Sequence, residues 1–278
     1  MKQVTTFFIV IVILSITACN GPDNGNITNT SASNTNINIG PAEMTYEIVK
    51  TYPHDTSSYT EGLEWNNNIL IESTGNYGKS KLILMDSNMK TIQNPVILKD
   101  TYFGEGTTLF KDKIYQLTWK EHKVFVYDAK TLNKINEIVW PYEGWGMTHN
   151  DSAIILNTGG SDLYFVDPTN FKILNIVGVK DNNGYIANIN ELEFVDGLLF
   201  ANVWLTDNIL LINPSNGDVK AKADMTTLLS KVGISYNPKD VDSGNVINGI
   251  AYNKKRGTFF VTGKHWPVII ELKFNYPK

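Results

Sequence analysis

Apolar residues come in short runs cut by polar turns, and helical spacing is nearly absent. The runs fall in pairs, which predicts antiparallel strand pairs. Residues 69–72 pair with 81–85, 113–117 with 123–127, and 153–156 with 163–166. Residues 198–202 then pair with 209–212, and 258–261 with 268–272. Turn clusters such as Asp128-Ala129-Lys130, Asp167-Pro168-Thr169 and Asn213-Pro214-Ser215 follow the second strands of the middle pairs. Helical spacing occurs once, at 224–232, where Met225, Leu228, Leu229 and Val232 would make one short helix.

Each pair is preceded by an entry segment of polar, aromatic and glycine residues. These are Tyr59-Thr60-Glu61-Gly62-Leu63, Phe103-Gly104-Glu105-Gly106, Glu143-Gly144-Trp145-Gly146-Met147, Ile189-Asn190-Glu191-Leu192 and Ile247-Asn248-Gly249-Ile250. Five units of one internal order predict the blades of a β-propeller. A single blade cannot bury both of its faces, so its neighbours must cover it. Residues 45–49 alternate like a strand ahead of the first unit, and Pro53-His54 ends it. That strand is expected to complete the last blade beside 268–272 and so close the ring. The expected fold class is all-β, a five-bladed β-propeller closed by an N-terminal strand. A β-sandwich or two smaller β domains is the competing arrangement.

Composition narrows the partners. The chain has 278 residues, 42% hydrophobic and 19% charged, enough for a sizeable core. Its net charge of -4 offers no basic footprint, so no nucleic-acid partner is expected. The first residues read as a targeting segment: Lys2, an unbroken apolar run at 7–14, then Ile16-Thr17-Ala18-Cys19. The run is too short for a comfortable membrane span. Cys19 is the one cysteine of the chain, and its setting resembles a bacterial lipobox, in which the cysteine is lipidated. An ordinary secretory signal with a chance cysteine is the alternative. With Cys19 so used, no disulfide is available to the mature chain. Residues 20–41 are rich in Asn, Thr, Ser and Gly, and too poor in apolar groups to offset ordering entropy. The expected organisation is a signal peptide with lipobox at 1–19, a flexible tether at 20–43 and the propeller at 44–278. The implied location is the bacterial cell envelope, lipid-anchored, in the periplasm or on the surface.

The chemistry is not of the common motif types. The four histidines, His54, His122, His149 and His265, have no zinc spacing. There is no Gly-x-Ser-x-Gly elbow and no Walker-type glycine loop. The candidates are polar and aromatic residues at the entries and inter-strand loops, which in a propeller converge on the central channel. They are Glu105 between two glycines, Trp145, Asn190, Trp204 and Lys264. Taken singly, each has a structural reading: a satisfied carboxylate, packing between blades, a turn residue or a solvated lysine.

Taken together, these segments resemble the plant and bacterial type of glutaminyl-peptide cyclotransferase. The resemblance runs in order from Tyr46 to Phe274. It includes Glu72-Ser73-Thr74-Gly75, Gln116-Leu117-Thr118-Trp119, Asn190-Glu191-Leu192-Glu193, Ala201-Asn202-Val203-Trp204 and Thr262-Gly263-Lys264-His265-Trp266-Pro267 as well as the entry motifs. It implies a five-bladed propeller that turns an N-terminal glutamine into pyroglutamate and releases ammonia. It places the key acid on Glu105, polar site residues on Asn190 and Lys264, and substrate-binding aromatics on Phe103, Trp145 and Trp204. Tyr59 and Glu61 stand where the family commonly has phenylalanine and glutamine, so they too belong to the substrate contact.

Those residue types suit the reaction. Nucleophile and electrophile share one residue, so the enzyme mainly selects the cyclising conformer. The amide nitrogen departs only when protonated, and one buried carboxyl can pass it the amine's proton. No cofactor is expected for catalysis and no metal ligand set is assigned, while a structural cation in the central channel stays open. The expected partners are peptides or proteins with N-terminal glutamine, and the membrane through the lipid anchor. A monomer is expected. Two rival readings remain at this stage: a non-catalytic propeller binding a peptide or glycan, and a lactonase-like hydrolase with a metal cage. The anchor reading has a direct test. Cys19→Ser is expected to move the protein from the membrane to the soluble fraction, with the purified domain's activity unchanged. Retention of the variant in membranes would refute lipidation at Cys19.

Overall fold

The structure, a computed structural model, describes residues 40–235 and 244–277. Cys19, the expected signal peptide and most of the expected tether lie outside the described residues. Two strands open the described chain, β1 (Ala42–Glu43) and β2 (Thr45–Pro53). The first blade is β3 (Thr60–Asn66), β4 (Ile69–Thr74), β5 (Lys81–Met85) and β6 (Val96–Ile97). The second is β7 (Gly104–Phe110), β8 (Lys113–Thr118), β9 (Lys123–Asp128) and β10 (Lys134–Val139). The third is β11 (Met147–His149), β12 (Ile154–Asn157), β13 (Asp162–Val166) and β14 (Ile173–Gly178), followed by the small hairpin β15 (Lys180–Asp181) and β16 (Gly184–Tyr185). The fourth is β17 (Ile189–Val195), β18 (Leu198–Val203), β19 (Asn208–Ile212) and β20 (Val219–Asp224), with β1 added in parallel on β20. After the one-turn helix α1 (Leu228–Lys231) the fifth is β21 (Ile247–Asn253), β22 (Thr258–Gly263) and β23 (Val268–Asn275), with β2 outermost.

The five predicted pairs are the second and third strands of the blades. They were legible because neighbouring blades cover them on both faces. On β19, Ile209 and Leu211 enter one apolar cluster while Leu210 and Ile212 enter another. Most entry segments are not loops leading into strands. In four blades they run into the first strand itself, and in the third, residues 143–146 precede β11. The fourth strands gave little pattern because they lie outside: β10 is exposed along nearly its whole length.

Five apolar clusters hold the ring, one at each blade-to-blade junction. The junction of the fifth and first blades packs Tyr52, Phe260 and Ile269 against Leu63, Leu70 and Ile83. The expectation of closure by the N-terminal strand is corrected at this junction. β2 does pair with β23, as in Ile48 opposite Leu272. Yet it is the edge of an open four-stranded sheet, and no sheet among the described residues is closed by hydrogen bonds. Side-chain packing between blade faces joins the ends of the ring, because separate sheets stacked face to face have no shared backbone ladder.

At the centre, β3, β7, β11, β17 and β21 adjoin one another in cyclic order, each the inner edge of its sheet. Their outward N–H groups have no strand to pair with and little water, so side chains serve them. Glu64 accepts from the backbone N–H of Leu109 at 2.8 Å, and Glu193 from that of Tyr252 at 2.8 Å. Glu191, fully buried, accepts from Leu63 at 3.0 Å and from Ile250 at 2.7 Å, so one carboxyl joins the fourth blade to the first and the fifth. Glu191→Ala is expected to strand both donors. At about 1–3 kcal/mol per unsatisfied buried group, the fold should lose about 2–6 kcal/mol. Urea unfolding of the variant measures this, and an unchanged midpoint would show that Glu191 carries no such load.

Candidate active site

The site grows from two repeated positions of the blade. The first is the start of the inner strand, where the ladder to the second strand slips in four blades. The slips lie between Thr60 and Gly62, Gly104 and Thr107, Ile189 and Leu192, and Ile247 and Ile250. Such a bulge adds a residue and re-aims its side chain. The re-aimed residues include Glu61, Glu105, Asn190 and Asn248. The second position is the residue just after the second strand: Trp119 after β8, Trp204 after β18 and Lys264 after β22.

The glycines beside Glu105 answer to close approach. A Cβ on Gly104 would lie 2.6 Å from the Thr74 carbonyl oxygen, and one on Gly106 would lie 2.5 Å from the Trp145 carbonyl oxygen. The backbone around Glu105 is thus wedged between the first and third blades, and the carboxyl has little freedom to move.

These positions converge on a pocket of about 250 Å³. It brings together all eight candidates inside the domain: Tyr59, Glu61, Phe103, Glu105, Trp145, Asn190, Trp204 and Lys264. It adds Trp119, which was not singled out from the sequence. The signal for Trp119 was present, since it holds the same place after the second strand as Trp204 and Lys264. Asn248 was also missed; it donates to Glu61 at 3.2 Å and to the Thr60 carbonyl at 2.9 Å. Aromatic rings wall the pocket. Trp145 and Trp204 meet edge to face at 5.4 Å, and Phe103 meets Tyr59 at 6.1 Å in the same manner.

The charges are arranged as a buried trio. Lys264 Nζ lies 2.6 Å from Glu61 Oε1, with both side chains at most 4% exposed. Burial alone would lower the Lys264 pKa, but the Glu61 charge, aided by Tyr59 and Glu105, outweighs it and the net shift is upward. Burial is the largest influence on the Glu61 carboxyl and leaves it above its usual value, although Lys264 and a hydrogen bond from Glu105 pull the other way. The proton of that pair therefore sits on Lys264. Glu105 is only 5% exposed, and its pKa stands well above the usual carboxylate range. Burial is the main cause and the neighbouring Glu61 charge the next; Lys264 opposes them, and Glu121 and Glu143 add to the rise. Two carboxyls side by side thus differ in setting: Glu61 is paired with Lys264, while burial and the Glu61 charge favour the protonated form of Glu105.

The pocket also holds a buried acceptor and a buried donor, Asn190 Oδ1 and Trp204 Nε1, with no hydrogen-bond partner among the described residues. Buried polar groups are normally satisfied, so an unpaired donor and acceptor in one pocket are groups placed for a ligand. Among the described residues, no group of three or more His, Cys, Asp or Glu is disposed to hold a metal ion.

Comparison with known proteins agrees with this geometry. The family model described as glutamine cyclotransferase matches residues 24–274. A glutaminyl-peptide cyclotransferase of Arabidopsis thaliana is 33% identical over 231 residues, which is 82% of this chain and 71% of that protein. The crystal structure of Myxococcus xanthus glutaminyl cyclase superposes with a TM-score of 0.75 at 29% identity, covering 86% of this chain and 100% of that one. With its five blades and one aromatic-walled acid pocket, the chain belongs to the glutamine cyclotransferase family.

Proposed function

We infer that the protein is a glutaminyl-peptide cyclotransferase, converting the N-terminal glutamine of peptides to pyroglutamate with release of ammonia. The observation that carries the reading is a buried carboxyl, Glu105, fixed in an aromatic pocket beside an unpaired donor and an unpaired acceptor, where burial favours its acid form. The α-amine nitrogen bonds to the side-chain carboxamide carbon, and the bond from that carbon to the amide nitrogen breaks. The proton shed by the α-nitrogen must reach the departing nitrogen, which leaves as ammonia. In this reading Glu105 gives its proton to the leaving nitrogen and recovers one from the attacking amine, ending unchanged. Asn190 Oδ1 accepts from the amine and orients it. Trp204 Nε1 donates to the carbonyl oxygen as charge builds there. Lys264 adds a positive charge; an ammonium carries three donors, so its bond to Glu61 does not exhaust it. Tyr59, Phe103, Trp145 and the other rings exclude water and hold the glutaminyl chain in its cyclising conformer.

No cofactor enters this scheme. The remaining assignments rest on the sequence: a lipid anchor at Cys19, a tether at 20–43, a propeller at 44–278, a monomer, and a place in the bacterial cell envelope. The pocket residues favour the enzyme over the binding module, because a binding site gains nothing from a carboxyl held in its acid form next to an ion pair. The rival readings are separated by ammonia release from a Gln-initiated dipeptide, with and without a strong chelator. Ammonia in both conditions supports the cyclotransferase; no turnover favours the binding module.

Glu105→Gln keeps the shape but cannot return a proton, so kcat is expected to fall by about 10²–10⁴-fold. KM should change much less, since the aromatic walls stay in place. A variant that cyclises at the parent rate would exclude Glu105 as the shuttle. The pH profile tests the charge arrangement. The rate should rise as the substrate amine loses its proton, near the ordinary α-amino pKa of about 7.7–8.0. It should fall again at alkaline pH as Glu105 ionises. Glu61→Gln removes a negative charge beside Glu105 and frees the Lys264 charge, and both changes lower the Glu105 pKa. The variant should stay active near neutrality with its alkaline limb moved to lower pH. An alkaline limb that does not move, or moves upward, contradicts the assignment.

A further inference from the structure

Glutamine and glutamate side chains share length and shape. They differ at one atom, an amide nitrogen against a carboxylate oxygen. Aromatic walls therefore hold both equally well. The unpaired polar groups do not separate them either. Asn190 Oδ1 accepts from the α-amine, which both residues carry, and Trp204 Nε1 can donate to an oxygen of either side chain. Charge is the remaining difference, so the charge already present in the pocket decides which one enters.

That charge is neutralised before a ligand arrives. Among the described residues lining the pocket, Lys264 supplies the positive charge, and Glu61 meets it at 2.6 Å. The pair is fixed on both sides: Asn248 donates to the other Glu61 oxygen at 3.2 Å, and the Lys264 ammonium sits 4.4 Å from the Tyr59 ring centre. The remaining donors of Lys264 still serve a neutral carbonyl, but its charge is already matched. Glu105 reports the field that results. Lys264 favours its ionised form, yet burial and the Glu61 charge prevail, and Glu121 and Glu143 outside the lining add to them. A carboxylate brought in by a ligand meets the same opposition, because its charge would be buried without a partner.

We propose that Glu61 is a specificity-determining residue: by occupying the Lys264 ammonium it leaves no positive charge for an anionic side chain, and so excludes peptides that begin with glutamate. The proposal rests on the cyclotransferase reading and adds to it which N-terminal residue is refused and by which group. A glutamate side chain has an ordinary pKa of about 4.3, so entering in its acid form at about pH 7.5 costs about a thousandfold in affinity. Without the Glu61 charge, Lys264 is left to pair with the ligand's carboxylate, and that penalty shrinks.

The test compares the affinities of Glu-Gly-amide and Met-Gly-amide by calorimetry. Methionine supplies a neutral, unbranched side chain of similar length and does not cyclise, and the shared amine and backbone cancel in the ratio. At about pH 7.5 the parent should bind Glu-Gly-amide about 10²–10³-fold more weakly than Met-Gly-amide, and the gap should narrow about tenfold for each pH unit lowered. That pH dependence needs no variant. Glu61→Gln should narrow the gap at fixed pH by about ten- to a hundredfold. Glu61→Gln/Lys264→Met carries neither charge and should restore it. Equal binding of the two peptides by the parent, a gap in Glu61→Gln equal to the parent's, or a narrowed gap that persists in the double variant overturns the proposal. Ammonia release from Gln-Gly-amide by the parent is followed alongside. Ammonia without the expected gaps removes the charge filter alone. The expected gaps without ammonia remove the cyclotransferase reading and leave the filter standing.

Discussion

The whole structure turns on the inner edges of its five sheets. Each blade ends at the centre on a strand whose outer N–H groups meet neither a partner strand nor bulk water. An unpaired buried donor costs about 1–3 kcal/mol, and a ring of such edges would be untenable if left bare. The chain meets this with side chains that reach from one blade to the backbone of another, chiefly Glu64, Glu191 and Glu193. Amides do the same: Asn202 accepts from the Gly249 N–H at 3.0 Å, and Asn157 donates to the Asn190 carbonyl at 2.6 Å. A centre built from carboxyls and amides instead of leucines is therefore a requirement of the fold before it is a device of catalysis.

The active site exploits that requirement at one end of the inner strands. Where the ladder slips, a polar side chain is released from its structural duty and turned toward the pocket. Wedged glycine backbone and aromatic walls then remove water from around it. Burial favours the neutral form of a carboxyl, and a second carboxyl nearby favours it further. Lys264 takes up the charge of Glu61, so only Glu105 has to carry a proton. The same low dielectric that makes unpaired groups costly thus divides two adjacent acids into an ion-pair partner and an acid.

Packing divides the labour differently. The five apolar clusters sit between blades and none spans the centre. Each blade is stabilised by its neighbours, and the pocket draws residues from all five blades. Tyr59 and Glu61 come from the first, Glu105 and Trp119 from the second, Trp145 from the entry to the third, Asn190 and Trp204 from the fourth, and Lys264 from the fifth. A shift at any junction would move one wall against the others, so the rigidity of the ring and the precision of the site are one property.

The sequence by itself determined the five-unit repeat, since strands covered on both faces are apolar at successive positions, as at 154–156 of β12 and 209–212 of β19. It also determined the candidate residues, because polar and glycine-rich starts to otherwise apolar units stand out at each recurrence. Glu105, Trp145 and Asn190 were legible in this way, and Lys264 as a polar residue of an inter-strand loop. The fourth strands were not, because an exposed edge strand such as β10 has no buried face to impose a pattern. Trp119 carried a repeat signal that only the strand ends made readable. Only the tertiary structure decided that the ring joins by side-chain packing and not by a closed sheet. It alone set Lys264 against Glu61, two positions 203 residues apart. Strand patterns record which face of a residue is buried; they do not record which distant residue shares its burial, and that pairing fixes where each proton resides.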